Sequence, residues 1–233
     1  LTLLFFFSSF LKAEFYGVAT RHHLATDIGM KVLEEGGNAI DAAVAVAFAL
    51  AVVNPSAGNL GGGGFMLLHL AESNETVSID YRERAPMKSF EKMFQDNSGK
   101  VIKGLSLSSI LASGVPGTVS GMFYAAEHYG TVKIENLIKP SIELAKKGFR
   151  LSDFQAKNLN KYKKKFSKDK EAKNIFTRAN GFSEGDILVQ KNLASTLERI
   201  KRNGKEEFYS GDTAKKIANF FKINGGILSL TDL

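Results

Sequence analysis

The spacing of apolar positions changes several times along the chain, and each change predicts an element. A brief apolar stretch at residues 16–19 predicts a strand. Thr26 or Asp27 stands where a helix cap is expected, ahead of Ile28, Val32 and Leu33 on one helical face. Gly36-Gly37 ends that helix, because glycine adopts the left-handed turn that a helix end requires. Asn38 then opens a second helix, with Asp41 close to its positive end. Residues 42–53 are apolar all round, which predicts burial on every side. The run is too short to cross a bilayer, which takes about 20 apolar residues. Pro55 helps to stop it.

Residues 54–64 (NPSAGNLGGGG) follow as a loop. They lead straight into two strand-like runs, residues 65–70 and 76–82, with a hairpin connection at 71–75. In the second run Val77, Ile79 and Tyr81 share one face, and Ser78, Asp80 and Arg82 share the other. Pro86 limits that strand. From there the pattern is mostly helical. Residues 114–118 (GVPGT) form a turn opening a helix through Met122, Tyr124 and Ala125, and residues 134–147 form another, closed by Gly148. Residues 193–202 and 213–222 read as amphipathic helices, each followed by glycine. There is no internal repeat, so one continuous domain over residues 14–233 is expected. A helix pair, a buried hairpin and then more helices predict an α+β fold or a layered α/β/α sandwich.

The run Gly61 to Gly64 invites a test for phosphate binding. A Walker loop continues into Lys-Ser/Thr and a helix, and a dinucleotide fingerprint runs from strand to glycines to helix. Here the glycines enter a strand and no Lys-Ser/Thr follows, so they are read as backbone freedom: positive φ, or close approach to another segment. His22, His23, His69 and His128 lack the spacing of a metal-binding pair, so no metal site is expected and no cofactor is implied. A Gly-x-Ser-x-Gly elbow is missing as well. Asn74-Glu75-Thr76 fits a glycosylation sequon, a frequent chance match.

Composition narrows the field further. The chain has 233 residues, 44% hydrophobic and 24% charged, a globular balance with ample material for a core. Cysteine is absent, which removes a disulfide framework, a thiolate nucleophile and a thiolate metal site. Most of the net charge of +7 comes from residues 157–173, where eight Lys face only Asp169 and Glu171. Lacking the interleaved arginines of a nucleic-acid face, this segment reads as a solvated helix or mobile loop, or else as a patch for anionic surfaces. Residues 1–13, rich in Phe and Leu and ending at Ala13, read as the remnant of a signal-peptide core, which implies a periplasmic or secreted protein. The basic leader expected before such a core is missing, and Thr231 and Asp232 resemble a helix cap with no helix after it. Both ends therefore read as clipped.

Arg82 is the charged residue of most interest. It closes a predicted strand beside the glycine loop, where a guanidinium can grip a carboxylate through two parallel hydrogen bonds. A structural ion pair with Asp80, Glu83 or another acid is the competing role.

Six blocks, in order, resemble the gamma-glutamyltransferase family: residues 33–45 (LEEGGNAIDAAVA), Asn54-Pro55 with 61–65 (GGGGF), 80–86 (DYRERAP), 113–121 (SGVPGTVSG), 208–211 (FYSG) and 224–227 (NGGI). The resemblance implies an N-terminal-nucleophile hydrolase fold, a four-layer αββα sandwich of which this chain is part of the large subunit. It further implies a precursor that cleaves itself, freeing a Thr that attacks the gamma-glutamyl amide of glutathione or related compounds. Water, an amino acid or a dipeptide then takes the group. The family's arginine motif binds the donor's α-carboxylate, and Arg82 occupies that position; Arg84 does not. The family's Thr-Thr-His-Tyr-like nucleophile region has no counterpart here, since the chain contains no Thr-Thr pair. The chain on its own is therefore expected to be inactive. The partners implied are the substrates and the small subunit, with no nucleic acid. Two alternatives stay open: a poly-gamma-glutamate transpeptidase or cephalosporin-type acylase of the same fold, and a noncatalytic scaffold.

Overall fold

The computed structural model describes residues 15–57 and 59–233. The targeting core expected at residues 1–13 lies outside the described residues. The strand expected at 16–19 does not form. Val18 instead packs beside Gly29, where a Cβ would meet its side chain at 3.0 Å. Four apolar residues suit that contact as well as a strand, and a strand also needs a partner.

Helix α1 (His23–Glu34) starts before the expected cap. Its N-cap is His22, whose Nδ1 accepts the Leu24 N–H at 3.3 Å, so Thr26 and Asp27 lie inside the helix. It ends as expected at Gly36, with φ +92°. Helix α2 (Ala39–Val53) opens with a reciprocal cap. Asn38 Oδ1 accepts the N–H groups of Ile40 and Asp41, and Asp41 Oδ2 accepts the Asn38 N–H, all at 2.9 Å. Val44, Phe48 and Val52 are fully buried, since α2 packs against α1 and against later helices at once. Its far end is held by two distant glutamines. Gln155 Nε2 donates to Val53 O and Gln190 Nε2 to Val52 O, each at 2.7 Å, which satisfies carbonyls the helix leaves free.

Strands β1 (Phe65–Leu70) and β2 (Glu75–Asp80) form the antiparallel hairpin, with Phe65 opposite Asp80 and Leu68 opposite Val77. Its turn bears the sequon residue Asn74, at φ +54°. The hairpin is buried on one face only: Leu68 and Ile79 are in the core, whereas Phe65 and Leu67 remain 60% and 75% exposed. The buried hairpin expected is thus buried through the face that carries Leu68 and Ile79, and its other face is open.

A single turn, α3 (Leu105–Ser108), precedes α4 (Thr118–Tyr129), which packs on α2 and β2. Helix α5 (Ile134–Lys147) runs through Pro140 and stops at Gly148, whose φ is +84°. The two-residue strands β3 (Phe149–Arg150) and β4 (Ile187–Leu188) pair antiparallel. Between them lie α6 (Asp153–Lys161), α7 (Lys163–Phe166) and α8 (Lys170–Phe176), so the lysine-rich segment is helical and largely exposed. Helix α9 (Lys191–Asn203) packs on α5, and α10 (Glu206–Tyr209) and α11 (Asp212–Ile223) complete the described chain. The described residues thus mix helix with two two-stranded sheets. No described helix is long and apolar enough to cross a membrane.

Candidate functional site

The glycine loop, the arginine motif and the turn before α4 meet in one junction. Gly64 and Tyr81 exchange both backbone hydrogen bonds, at 3.0 and 3.3 Å, extending the hairpin by one pair. The N–H groups of Gly117 and Thr118 both donate to Gly62 O, at 2.9 and 3.0 Å, and Arg84 and Val115 form an antiparallel bridge. The segments sit so close that side chains are excluded. A Cβ on Gly63 would lie 2.5 Å from Tyr81 O, and one on Gly117 would overlap the same carbonyl. A Cβ on Gly121 would lie 2.5 Å from that of Tyr81. Close approach is therefore what Gly63 and Gly64 supply, and none of Gly61 to Gly64 has φ in the left-handed range.

A later block locks the junction. Tyr209 Oη donates to Pro116 O at 3.1 Å and accepts the Ser120 N–H at 3.0 Å, tying α10 to the start of α4. Burial pushes the Tyr209 phenol above its usual pKa, only partly offset by the Ser120 bond, so it stays neutral and can donate. Asp232 reaches the same region: its carboxylate accepts the Met87 N–H and the Ser229 N–H, both at 2.7 Å. Partial burial opposes its ionisation, but these bonds and the Ser229 hydroxyl hold its carboxyl below the usual range. Residues 230–232 form a turn, and its Asp232 carboxylate ties this segment to Met87, just past the arginine motif.

Arg82 lies just past the end of β2, not within it. Asp80 Oδ1 accepts the Arg82 N–H at 2.9 Å, which takes that donor out of the ladder and turns the chain. The side chain is exposed, with its guanidinium 5.9 Å from the centre of the Phe65 ring. Among the described residues it enters no ion pair, so the structural pairing with Asp80 or Glu83 is not made. It borders an open cleft of about 750 Å³ whose walls include Glu83, Ser120, Tyr124, Tyr209 and Asp232. An unpaired guanidinium beside hydroxyls and a carboxylate suits a ligand that carries both a carboxylate and an ammonium.

The histidines do not converge. His22 caps α1, stacked 4.7 Å from His23; His69 lies on the exposed hairpin face, 3.3 Å from Thr76 Oγ1; His128 stacks 3.9 Å from Tyr124. Among the described residues no three His, Asp or Glu side chains gather as metal ligands would. The roles of Gly117, Gly121 and Tyr209 escaped the residue-by-residue reading. Their only sequence signal is that they fall in the blocks carrying the family resemblance.

Residues 25–233 match the model of the gamma-glutamyltranspeptidase family, and the chain belongs to that family. It is 48% identical to a glutathione hydrolase proenzyme of Pseudomonas sp. (strain A14), over 93% of this chain and 38% of that protein. With the glutathione hydrolase proenzyme of Escherichia coli (strain K12) it shares 46% identity, over 93% of this chain and 37% of that one. The chain thus spans under two fifths of the length of these curated relatives. Among solved structures it resembles the Helicobacter pylori gamma-glutamyltranspeptidase, with a TM-score of 0.89 and 49% identity, covering 92% of this chain and 62% of that one. The Bacillus anthracis transpeptidase CapD is more distant, with a TM-score of 0.75 and 33% identity over 94% of this chain and 67% of that one.

Proposed function

We propose that this chain is the N-terminal part of the large subunit of a gamma-glutamyltransferase, and that Arg82 binds the donor's α-carboxylate. In the complete enzyme a freed N-terminal Thr attacks the γ-carbonyl of glutathione or a similar compound, its own α-amino group serving as base. A gamma-glutamyl ester forms and the amine leaves; water, an amino acid or a dipeptide then takes the group. Arg82 fixes the end of the donor that does not react, which orients the γ-carbonyl toward the nucleophile. On this reading the open hairpin face belongs to a four-layer αββα sandwich completed by the rest of the precursor, and the protein is exported to the periplasm or secreted.

The observation that carries the reading is the exposed Arg82 guanidinium, free of acidic partners among the described residues, at the mouth of a cleft assembled from three family blocks. The test is donor kinetics on the matured complete enzyme carrying Arg82→Lys or Arg82→Ala. A lost charge-assisted hydrogen bond costs about 1.5–3 kcal/mol, or roughly tenfold to over a hundredfold in kcat/KM. Lys retains a point charge but not the fork, so its loss is the smaller. A normal kcat/KM for gamma-glutamyl donors in matured Arg82→Ala would remove Arg82 from this role.

A further inference from the structure

A second cavity, of about 540 Å³, shares no wall residue with the cleft at Arg82. It opens between the start of α1, the end of α2 and the α6–α8 segment. Its volume falls within the roughly 300–1,000 Å³ usual for small-molecule sites. The floor is apolar: Leu151, Leu159 and Leu188 are almost wholly buried. Phe166 and Phe176, with ring centres 5.3 Å apart, form one wall, and Phe154, still 66% exposed, stands at the mouth.

The charge of this cavity is one-sided. Arg21 and Lys165 line it, and no Asp or Glu does. Neither cation enters an ion pair among the described residues. Lys165 Nζ sits over the Tyr162 ring, 5.3 Å from its centre, and both residues line the cavity. His22 adds no charge at neutral pH: burial and the nearby His23 pull its pKa below the ordinary value, though Gln155 acts the other way. Two cations at the edge of an apolar hollow match an anion that carries an apolar body.

We propose that this cavity binds an amphiphilic carboxylate, with the head group held by Arg21 and Lys165 and the apolar body seated on Leu151, Leu159 and Leu188. Carboxylate suits the guanidinium fork of Arg21. The hollow also gives Lys165 a role distinct from gamma-glutamyl chemistry, because the ligand's body needs the apolar floor and does not need the cleft at Arg82.

The test is calorimetric titration of the complete enzyme with decanoate as probe. Decyltrimethylammonium serves as the reversed charge and acetate as the head group alone. One saturable decanoate site is expected, with a Kd on the order of 0.1 mM for a ligand of this size. Neither control should saturate in that range. The doubly reversed variant Arg21→Glu/Lys165→Glu should weaken decanoate at least tenfold while keeping its melting temperature and its gamma-glutamyl turnover, since both side chains are exposed. Absence of saturable decanoate binding overturns the proposal. So does unchanged affinity in the reversed variant, or equal binding of the ammonium amphiphile.

Discussion

Gly117→Ala isolates the close packing that places Arg82. Gly117 has φ −109° and ψ −16°, which alanine adopts freely, so backbone conformation carries no penalty. The smaller freedom of the unfolded alanine chain even favours folding by about 0.4–1 kcal/mol. Against that, the new Cβ would overlap Tyr81 O and lie 2.7 Å from Tyr81 C. Those are backbone atoms, so no rotamer change relieves the clash, and overpacking of this kind costs about 1–3 kcal/mol. If the segments separate, the two hydrogen bonds from Gly117 and Thr118 to Gly62 O weaken, at about 1 kcal/mol each. The clash outweighs the entropic gain, leaving a net loss of about 2 kcal/mol, or roughly 4–8 °C in Tm for a domain of this size. The carbonyl that must move belongs to the residue before Arg82, so on the proposed role of Arg82 donor kcat/KM should fall as well.

Gly61→Ala is the control. It lies in the same glycine-rich junction, yet its Cβ would meet only Asn59 Oδ1, at 3.3 Å. It should shift Tm by no more than about 1–2 °C, in line with a surface change. Both variants are made in the complete enzyme and read by thermal melting and by kinetics with a gamma-glutamyl anilide. Equal behaviour of Gly117→Ala and Gly61→Ala in both assays would refute the packing argument.

Three further expectations follow from buried polar groups. Glu207 accepts bonds from Arg199, Thr213 and Asn203. Although burial opposes ionisation, these bonds hold its pKa at about 2, below the ordinary 4.5. Its stabilisation is present above pH 4.5 and lost as pH falls toward 2. The Tm gap between wild type and Glu207→Gln should therefore shrink from pH 6 to pH 3, and a constant gap would contradict this. Asp41 is fully buried and accepts the N–H groups of Asn38, Thr131 and Val132. Asp41→Ala leaves these donors unpaired, which should destabilise by about 3–5 kcal/mol and lower the yield of folded protein on expression. Ser141 is the reverse case: its hydroxyl is buried with no hydrogen-bond partner among the described residues. Ser141→Ala should raise Tm by a few degrees, reflecting about 1 kcal/mol of relieved desolvation; a lower Tm would mean that the hydroxyl has a partner.

Local pattern was enough for the elements whose signal lies within a few residues. Helix α2 with its Asn38 cap, strand β1, and α5 up to Gly148 form where the sequence places them, since period, cap and glycine stop are short-range properties. The cap of α1 was misplaced because His22 accepts through a ring nitrogen, an unusual capping group. β3 and β4 were not legible, for two residues each have no periodicity and exist only through pairing across the α6–α8 segment. Gln155 and Gln190 look like ordinary polar residues until the fold brings them 102 and 138 residues back to the end of α2. At the candidate site the sequence singled out Arg82 and the glycine run. That Gly63 and Gly64 serve contact and not left-handed turns, and that Tyr209 bridges Pro116 and Ser120, depended on tertiary structure. The reason is physical: chain conformation is set by neighbours in sequence, whereas close approach is set by neighbours in space.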